Sequence, residues 1–304
     1  MHKLLPWGVE SIQLALPGAL TMIDGLSPKQ QAAIAWSYDS FLVERDELGQ
    51  PADVLCRAGR MVQPLRLPVA DFLVNNCYAV RKRRSGSRVG VTGFDFAGYL
   101  DREGLSPGRA ALLVEKEDWL AKTTVLENFL RILIAYHGLD CGGVLLHSVG
   151  LVQEDHAFVF IGRSGTGKTT LARKAAAAGA CVLSDDINLV SPENGGFRAH
   201  QVPFTGEFGR RAENFSGKGS FPLGGLILLE KAPSMVASRV SSADGVAGLL
   251  TGCPFVNDDP AEFPVLMDNL MNLVADIPII RLGVGCDDSF ESVMDTLLRH
   301  YKHD

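Results

Sequence analysis

Residues 162–169, Gly-Arg-Ser-Gly-Thr-Gly-Lys-Thr, spell the pattern G-x-x-x-x-G-K-[ST]. Such a loop works only between a strand and a helix, so it commits the surrounding chain to an α/β core. Both flanks agree. Ala157 to Ile161 is an apolar run that predicts a buried strand, and Thr169 to Ala178 (TTLARKAAAA) is rich in helix formers, with Gly179 placed as a stop. The glycines let backbone N–H groups curl around a phosphate, and the helix N-terminus adds positive dipole. The expected nucleotide contacts are Gly162, Ser164, Gly165, Thr166, Gly167, Lys168, Thr169 and Thr170. Lys168 would reach the β- and γ-phosphates, and the Thr169 hydroxyl would ligate Mg²⁺.

Composition removes several other classes. A formal net charge of −6 argues against a general affinity for nucleic acid. No apolar run reaches 18 residues and the first residues (MHKLLPWGVESIQ) lack a signal-peptide core, so neither a membrane span nor export is expected. Six cysteines (Cys56, Cys77, Cys141, Cys181, Cys253, Cys286) are scattered without a C-x-x-C pair. They read as small buried hydrophobes in a reducing compartment, with the cytoplasm as the expected address.

Within residues 1–118, residues 9 to about 117 alternate short β-like runs with polar turns: Ser11–Leu16, Ser40–Val43, Ala52–Ala58, Cys77–Arg81, Arg88–Val91 and Ala110–Glu115. A helix over Ser27–Trp36 and a short Asp95–Asp101 segment interrupt them. This part reads as a small α+β accessory domain, and residues 119–304 as the nucleotide-binding domain. In the second part, Lys122–Leu139 carries apolar residues at helical spacing. Val144–Val152 reads as a strand, and Gln153–His156 as the turn of a hairpin leading into the strand before the loop. Ala180–Leu183, Ile187–Val190, Gly196–Val202 and Gly225–Glu230 read as strands, residues 251–264 as loop, and Ser289–His300 as a terminal helix.

A phosphate loop implies a nucleotide; what happens to it depends on carboxylates. Asp185 and Asp186 follow Lys168 by only 17 and 18 residues. A helix of about ten residues spans roughly 15 Å, so the next strand is expected to return beside the loop strand and present its end near the phosphates. One carboxylate would hold Mg²⁺ and the other would accept the proton of an attacking hydroxyl. The sequence alone does not order the two; the assignment adopted gives Asp185 the proton and Asp186 the metal.

His147-Ser148-Val149-Gly150-Leu151-Val152, then GRSGTGKTTLA, then CVLSDD, together resemble the catalytic core of HPr kinase/phosphorylase. That enzyme also places a histidine fifteen residues before the first loop glycine, as His147 stands before Gly162, and an Asp-Asp pair at the offset of Asp185-Asp186. The resemblance covers roughly residues 120–230. It implies the α/β mixed-sheet P-loop core shared by HPr kinase and ATP-dependent phosphoenolpyruvate carboxykinase. More closely, the chain is similar to HPr-kinase-like proteins of biosynthetic gene clusters, which include kinases that phosphorylate a serine on a peptide. These share a downstream Pro-x-x-Gly-Glu, here Pro203-Phe204-Thr205-Gly206-Glu207. The resemblance gives Glu207 a part in holding Mg²⁺ or orienting the nucleotide, places His147 beside the transferring phosphate, and implies self-association.

The long glycine-rich signature that follows the Asp pair in HPr kinase/phosphorylases is absent, so the resemblance extends neither to the HPr carrier nor to the reverse reaction. Arg210 and Arg211 are weaker candidates for a phosphate clamp. Arg81-Lys82-Arg83-Arg84 reads as a solvated hairpin tip, and Asp258-Asp259 as a turn in preference to a second metal position. The expectation is an ATP- and Mg²⁺-dependent kinase with Lys168, Asp185, Asp186 and His147 at its centre. Its acceptor would be a hydroxyl, serine in a peptide or protein. The alternatives are a kinase of a small hydroxy amino acid and a nucleotide-gated regulatory protein that transfers nothing.

Overall fold

The computed structural model describes residues 4–43, 51–61, 73–75, 80–93, 95–104, 107–120, 122–204, 206 and 219–301. The chain divides into two compact units, residues 1–134 and 135–304.

The first unit is built on an eight-stranded sheet. Strands β1 (Glu10–Leu16) and β2 (Ala19–Leu26) form a hairpin. Helix α1 (Pro28–Ser37) follows, then β3 (Val54–Arg60), β4 (Leu73–Asn75), β5 (Val80–Ser85), β6 (Arg88–Gly93), β7 (Phe96–Asp101) and β8 (Gly108–Val114). The order is β1-β2-β3-β8-β7-β6-β5-β4. Pairing is parallel at β2–β3 and β3–β8 and antiparallel elsewhere. Helix α1 starts where its sequence says it should. Ser27 and Gln30 form a reciprocal capping box and Pro28 fills the first turn. Two readings of this unit fail. Ser40–Val43 is a 3₁₀ turn over Asp39–Phe41 in place of a strand, and β2 occupies a stretch the apolar pattern had left unassigned. The basic run is not wholly solvated either. On β5, Arg81 and Arg83 are exposed while Lys82 is buried, because successive side chains of a strand face opposite ways.

A π-helical turn over Thr123–Glu127 leads into α2 (Asn128–Asp140), so the predicted single helix begins with a wider turn. The second unit continues through β9 (Val144–Gln153), β10 (His156–Ile161), α3 (Lys168–Ala177), β11 (Cys181–Ser184), β12 (Ile187–Glu193), β13 (Gly196–His200) and β14 (Ser220–Lys231). It closes with β15 (Val236–Arg239), α4 (Ser242–Leu250), α5 (Phe263–Asp276), β16 (Ile279–Val284) and α6 (Phe290–Tyr301). These strands make a second, mixed sheet of eight. β10, β14 and β16 run parallel, while β9 is antiparallel to β10, β11 and β12. The pairings β9–β10, β10–β14, β14–β13, β13–β12 and β12–β9 form a closed ring. Helices α3 and α6 cover one face, burying Leu171, Ala175, Val293 and Leu297 against Phe160, Leu151, Ile227 and Leu282. Truncating one such ring or aliphatic chain typically costs about 2–5 kcal/mol, so the strands that carry the loop are anchored by a continuous apolar layer.

Candidate functional site

The β9–β10 hairpin forms as its sequence predicts, with Glu154 and Asp155 at φ +50° and +60° supplying the left-handed turn that matches strand twist. β10 ends at Ile161, the loop runs from Gly162 to Gly167, and Lys168 opens α3. Gly162 has to be glycine. A Cβ there would lie 2.7 Å from the Leu229 carbonyl oxygen and 2.7 Å from Thr166 Oγ1. Gly167, at the N-cap, has φ +104°, and no side chain caps the helix. A helix N-terminus without a side-chain cap is an arrangement that suits an anion. Lys168 is buried at 7% exposure and donates from Nζ to the carbonyls of Gly162 (2.5 Å) and Arg163 (3.3 Å). Thr166 Oγ1 donates to the Arg163 carbonyl at 2.9 Å, tying the loop to itself. Thr169 is half-buried, and Ser164, Gly165 and Thr170 are exposed.

Strand register sets what faces this loop. Ile161 pairs with Ser148, and on the other side of β9 the Ser148 N–H donates to the Asp186 carbonyl at 3.0 Å. His147, one residue earlier, pairs with Ile187. The start of the loop, His147-Ser148 and the Asp pair thus stand abreast on three neighbouring lines of chain, the outer two roughly 10 Å apart at ordinary strand spacing. This corrects one expectation. β11 does not lie beside the loop strand; β9 runs between them, because the β9–β10 hairpin had already taken that edge.

The Asp pair sits on an arch. Pairing of β11 with β9 shifts register between Val182 and Ser184 and resumes in β12 at Ile187. Ser184 Oγ accepts from the N–H of Asp186 (3.3 Å) and of Ile187 (3.2 Å), a serine turn that substitutes for the interrupted ladder. Asp186 Oδ1 lies 3.4 Å from His147 Nδ1. Asp185 is more enclosed, at 8% exposure, and a Cβ on Gly206 would collide with its carboxylate. Gly206 therefore lies directly against the Asp185 carboxylate. Glu207, Arg210 and Arg211 lie outside the described residues. Among the described residues no cluster of three or more His, Cys, Asp and Glu side chains is arranged to hold a metal ion. Asp259 is otherwise engaged: it accepts from Tyr136 Oη at 2.8 Å and from the Ala261 N–H at 3.2 Å, which makes it the brace of a turn.

The model of the family described as SynChlorMet cassette protein ScmC matches residues 113–299, more than half of the chain. The chain belongs to the ScmC family. No curated protein matches it. Among solved structures, the Hpr(Ser) kinase/phosphatase from Coxiella burnetii is similar with a TM-score of 0.30 and 12% identity, over 52% of this chain and 90% of that one. Among the described residues, no helix is long and apolar enough to cross a membrane.

Three participants of the site were not singled out from sequence: Ser148, Ser184 and Asn188, which bind the arch to β9. The signal that could have found them is the polar character of these positions inside strands otherwise built from Val, Leu and Ile. A polar residue in a buried strand must find a partner.

Proposed function

We propose that this member of the ScmC family is an ATP- and Mg²⁺-dependent kinase that phosphorylates a hydroxyl, with serine in a peptide or protein as the acceptor. The observation that carries the reading is the shared level of the Gly162 loop, His147 and the Asp185-Asp186 arch across β10, β9 and β11–β12. The residues present suit both groups. At Gly165 and Gly167 an added Cβ would meet nothing within 4 Å, so open space adjoins the loop there, and a helix N-terminus without a side-chain cap and a lysine follow it. Thr169 and Asp186 offer the hard oxygen donors that Mg²⁺ prefers. Bound there, Mg²⁺ would neutralise charge on the phosphate oxygens.

In this reading the loop amides and Lys168 hold the β- and γ-phosphates, and Asp185 takes the acceptor proton. The acceptor oxygen forms its bond to the γ-phosphorus as the bond to the bridging oxygen breaks, and ADP leaves with that electron pair. His147, paired with Asp186, fixes the carboxylate's orientation. Phosphoryl transfer asks for positioning and charge more than covalent help, which is what an enclosed lysine and an arched Asp pair supply. The test is transfer of labelled γ-phosphate from ATP into peptides and metabolites of the source cells, with Asp185→Ala run in parallel. Labelling by wild type and its loss in the variant, with ATP binding retained, is expected. Equal labelling by both proteins would refute the role given to Asp185.

A further inference from the structure

Asn188 lies one residue past the point where β12 resumes pairing with β9, fully buried at 0% exposure. Its Nδ2 donates to the Ser148 carbonyl (3.1 Å) and to Ser148 Oγ (3.0 Å), and reaches the Ser184 carbonyl at 3.5 Å. Ser148 Oγ in turn donates to the Leu146 carbonyl at 3.0 Å. One amide therefore links the strand that carries His147 to the residue that begins the Asp arch. It does so where the backbone ladder is broken by the register shift. The same Ser148 supplies the N–H that holds the Asp186 carbonyl, and the same Ser184 supplies the hydroxyl that holds the Asp186 and Ile187 N–H groups. Every one of these bonds to the arch passes through a residue that Asn188 grips.

The fold makes room for this amide at a cost. Asn188 Oδ1 is buried without a hydrogen-bond partner and packs against Gly150, where a Cβ would collide with it. A leucine would fill the space with no such unpaired oxygen, so packing alone does not call for asparagine. We propose that Asn188 is a positioning residue that locks the Asp185-Asp186 arch onto β9, and so sets where the two carboxylates meet the Mg²⁺ of the bound nucleotide. The inference rests on the kinase reading above. It concerns the Asp side of the site and leaves the phosphate loop, on the opposite flank of β9, to bind nucleotide independently.

The experiment is calorimetric titration of ATP into the full chain with and without Mg²⁺, for wild type, Asn188→Leu and Gly150→Ala. The second variant keeps the amide but displaces it with a Cβ. Both variants should bind Mg²⁺-free ATP within about twofold of wild type and lose about tenfold or more of the tightening that Mg²⁺ confers, as outer residues of metal sites commonly do. Variants that retain the full Mg²⁺ effect would overturn the proposal. So would variants that lose affinity equally with and without Mg²⁺ while melting lower, because that is the mark of a merely structural role. A wild-type protein that binds no ATP brings down the phosphate-loop reading first, and this inference with it, on an observation that involves neither variant.

Discussion

Replacing Gly162 by alanine tests whether the loop is held as tightly as its surroundings indicate. The new Cβ would stand 2.7 Å from both the Leu229 carbonyl oxygen and Thr166 Oγ1, and 3.3 Å from Thr166 Cβ. Carbon–oxygen contacts in proteins run at about 3.3 Å and above, so each oxygen has to retreat by roughly half an ångström. Leu229 cannot do so readily: it is 1% exposed and pairs with Leu282 of β16 in the middle of the sheet. Thr166 can rotate, but it then gives up its 2.9 Å bond to the Arg163 carbonyl. One lost hydrogen bond of about 1 kcal/mol and an overpacking cost of about 1–3 kcal/mol sum to roughly 2–4 kcal/mol. For a unit of this size that lowers Tm by about 5–15 °C. Gly165→Ala is the control. Its Cβ meets nothing within 4 Å, and only the backbone strain of φ +81° is incurred, about 1–2 kcal/mol. Scanning calorimetry of the two variants decides the matter. Gly162→Ala melting as high as Gly165→Ala would refute the argument that the loop mouth is fixed against β14.

Two further predictions concern the interior. Arg131→Met should destabilise the protein by about 3–5 kcal/mol in urea titration, because it strips the guanidinium that stands 2.6 Å from a Glu127 carboxylate that is fully buried; the Glu127→Gln/Arg131→Met double variant should recover most of that, and a single-variant loss below about 1 kcal/mol would contradict it. Burial pushes the Cys56 and Cys253 thiols up to about 12, so at pH 8 only about one in ten thousand is thiolate. A thiol reagent should label exposed Cys141 and Cys286 in the native protein and reach Cys56 and Cys253 only on unfolding. Since the unfolded thiols ionise near 9, these two groups leave stability untouched below that pH and erode it from pH 9 upward; fast native labelling of all four would show the burial to be wrong.

The parts of this structure that were legible in sequence are those fixed by short-range chemistry. Strand β10, the glycine loop and α3 follow from an apolar run, three glycines and a helix-forming tract. Helix α1 follows from Ser27, Pro28 and Gln30, and the β9–β10 turn from Glu154-Asp155. What was illegible depends on pairing over distance. Nothing local in β11 says that it joins β9 and not the loop strand, since either neighbour would bury the same Val182 and Leu183. Helices α4 and α5 went unassigned, although α5 carries Leu266, Leu270, Leu273 and Val274 on one buried face at helical spacing. Exposed Phe263, Val265 and Met271 interleave with that stripe and blur its amphipathic contrast. For the site, the loop and the Asp pair were readable as motifs, whereas the serine turn and Asn188 became visible only through the broken register between Val182 and Ser184.

The most direct test of the nucleotide reading is titration of MgATP into the wild-type chain and Lys168→Met by calorimetry, with melting curves taken alongside. Lys168 is enclosed and its methionine replacement is close in volume, so the variant keeps the packing and loses the Nζ bonds to the Gly162 and Arg163 carbonyls, about 1–3 kcal/mol of stability. In the nucleotide reading its charge-assisted bonds to phosphate are worth about 1.5–3 kcal/mol, so saturable binding by wild type should weaken by about 10- to 150-fold in the variant, at a temperature where the melting curves show both proteins folded. A wild-type chain that takes up no MgATP, or a Lys168→Met variant that binds it equally well, would contradict the account.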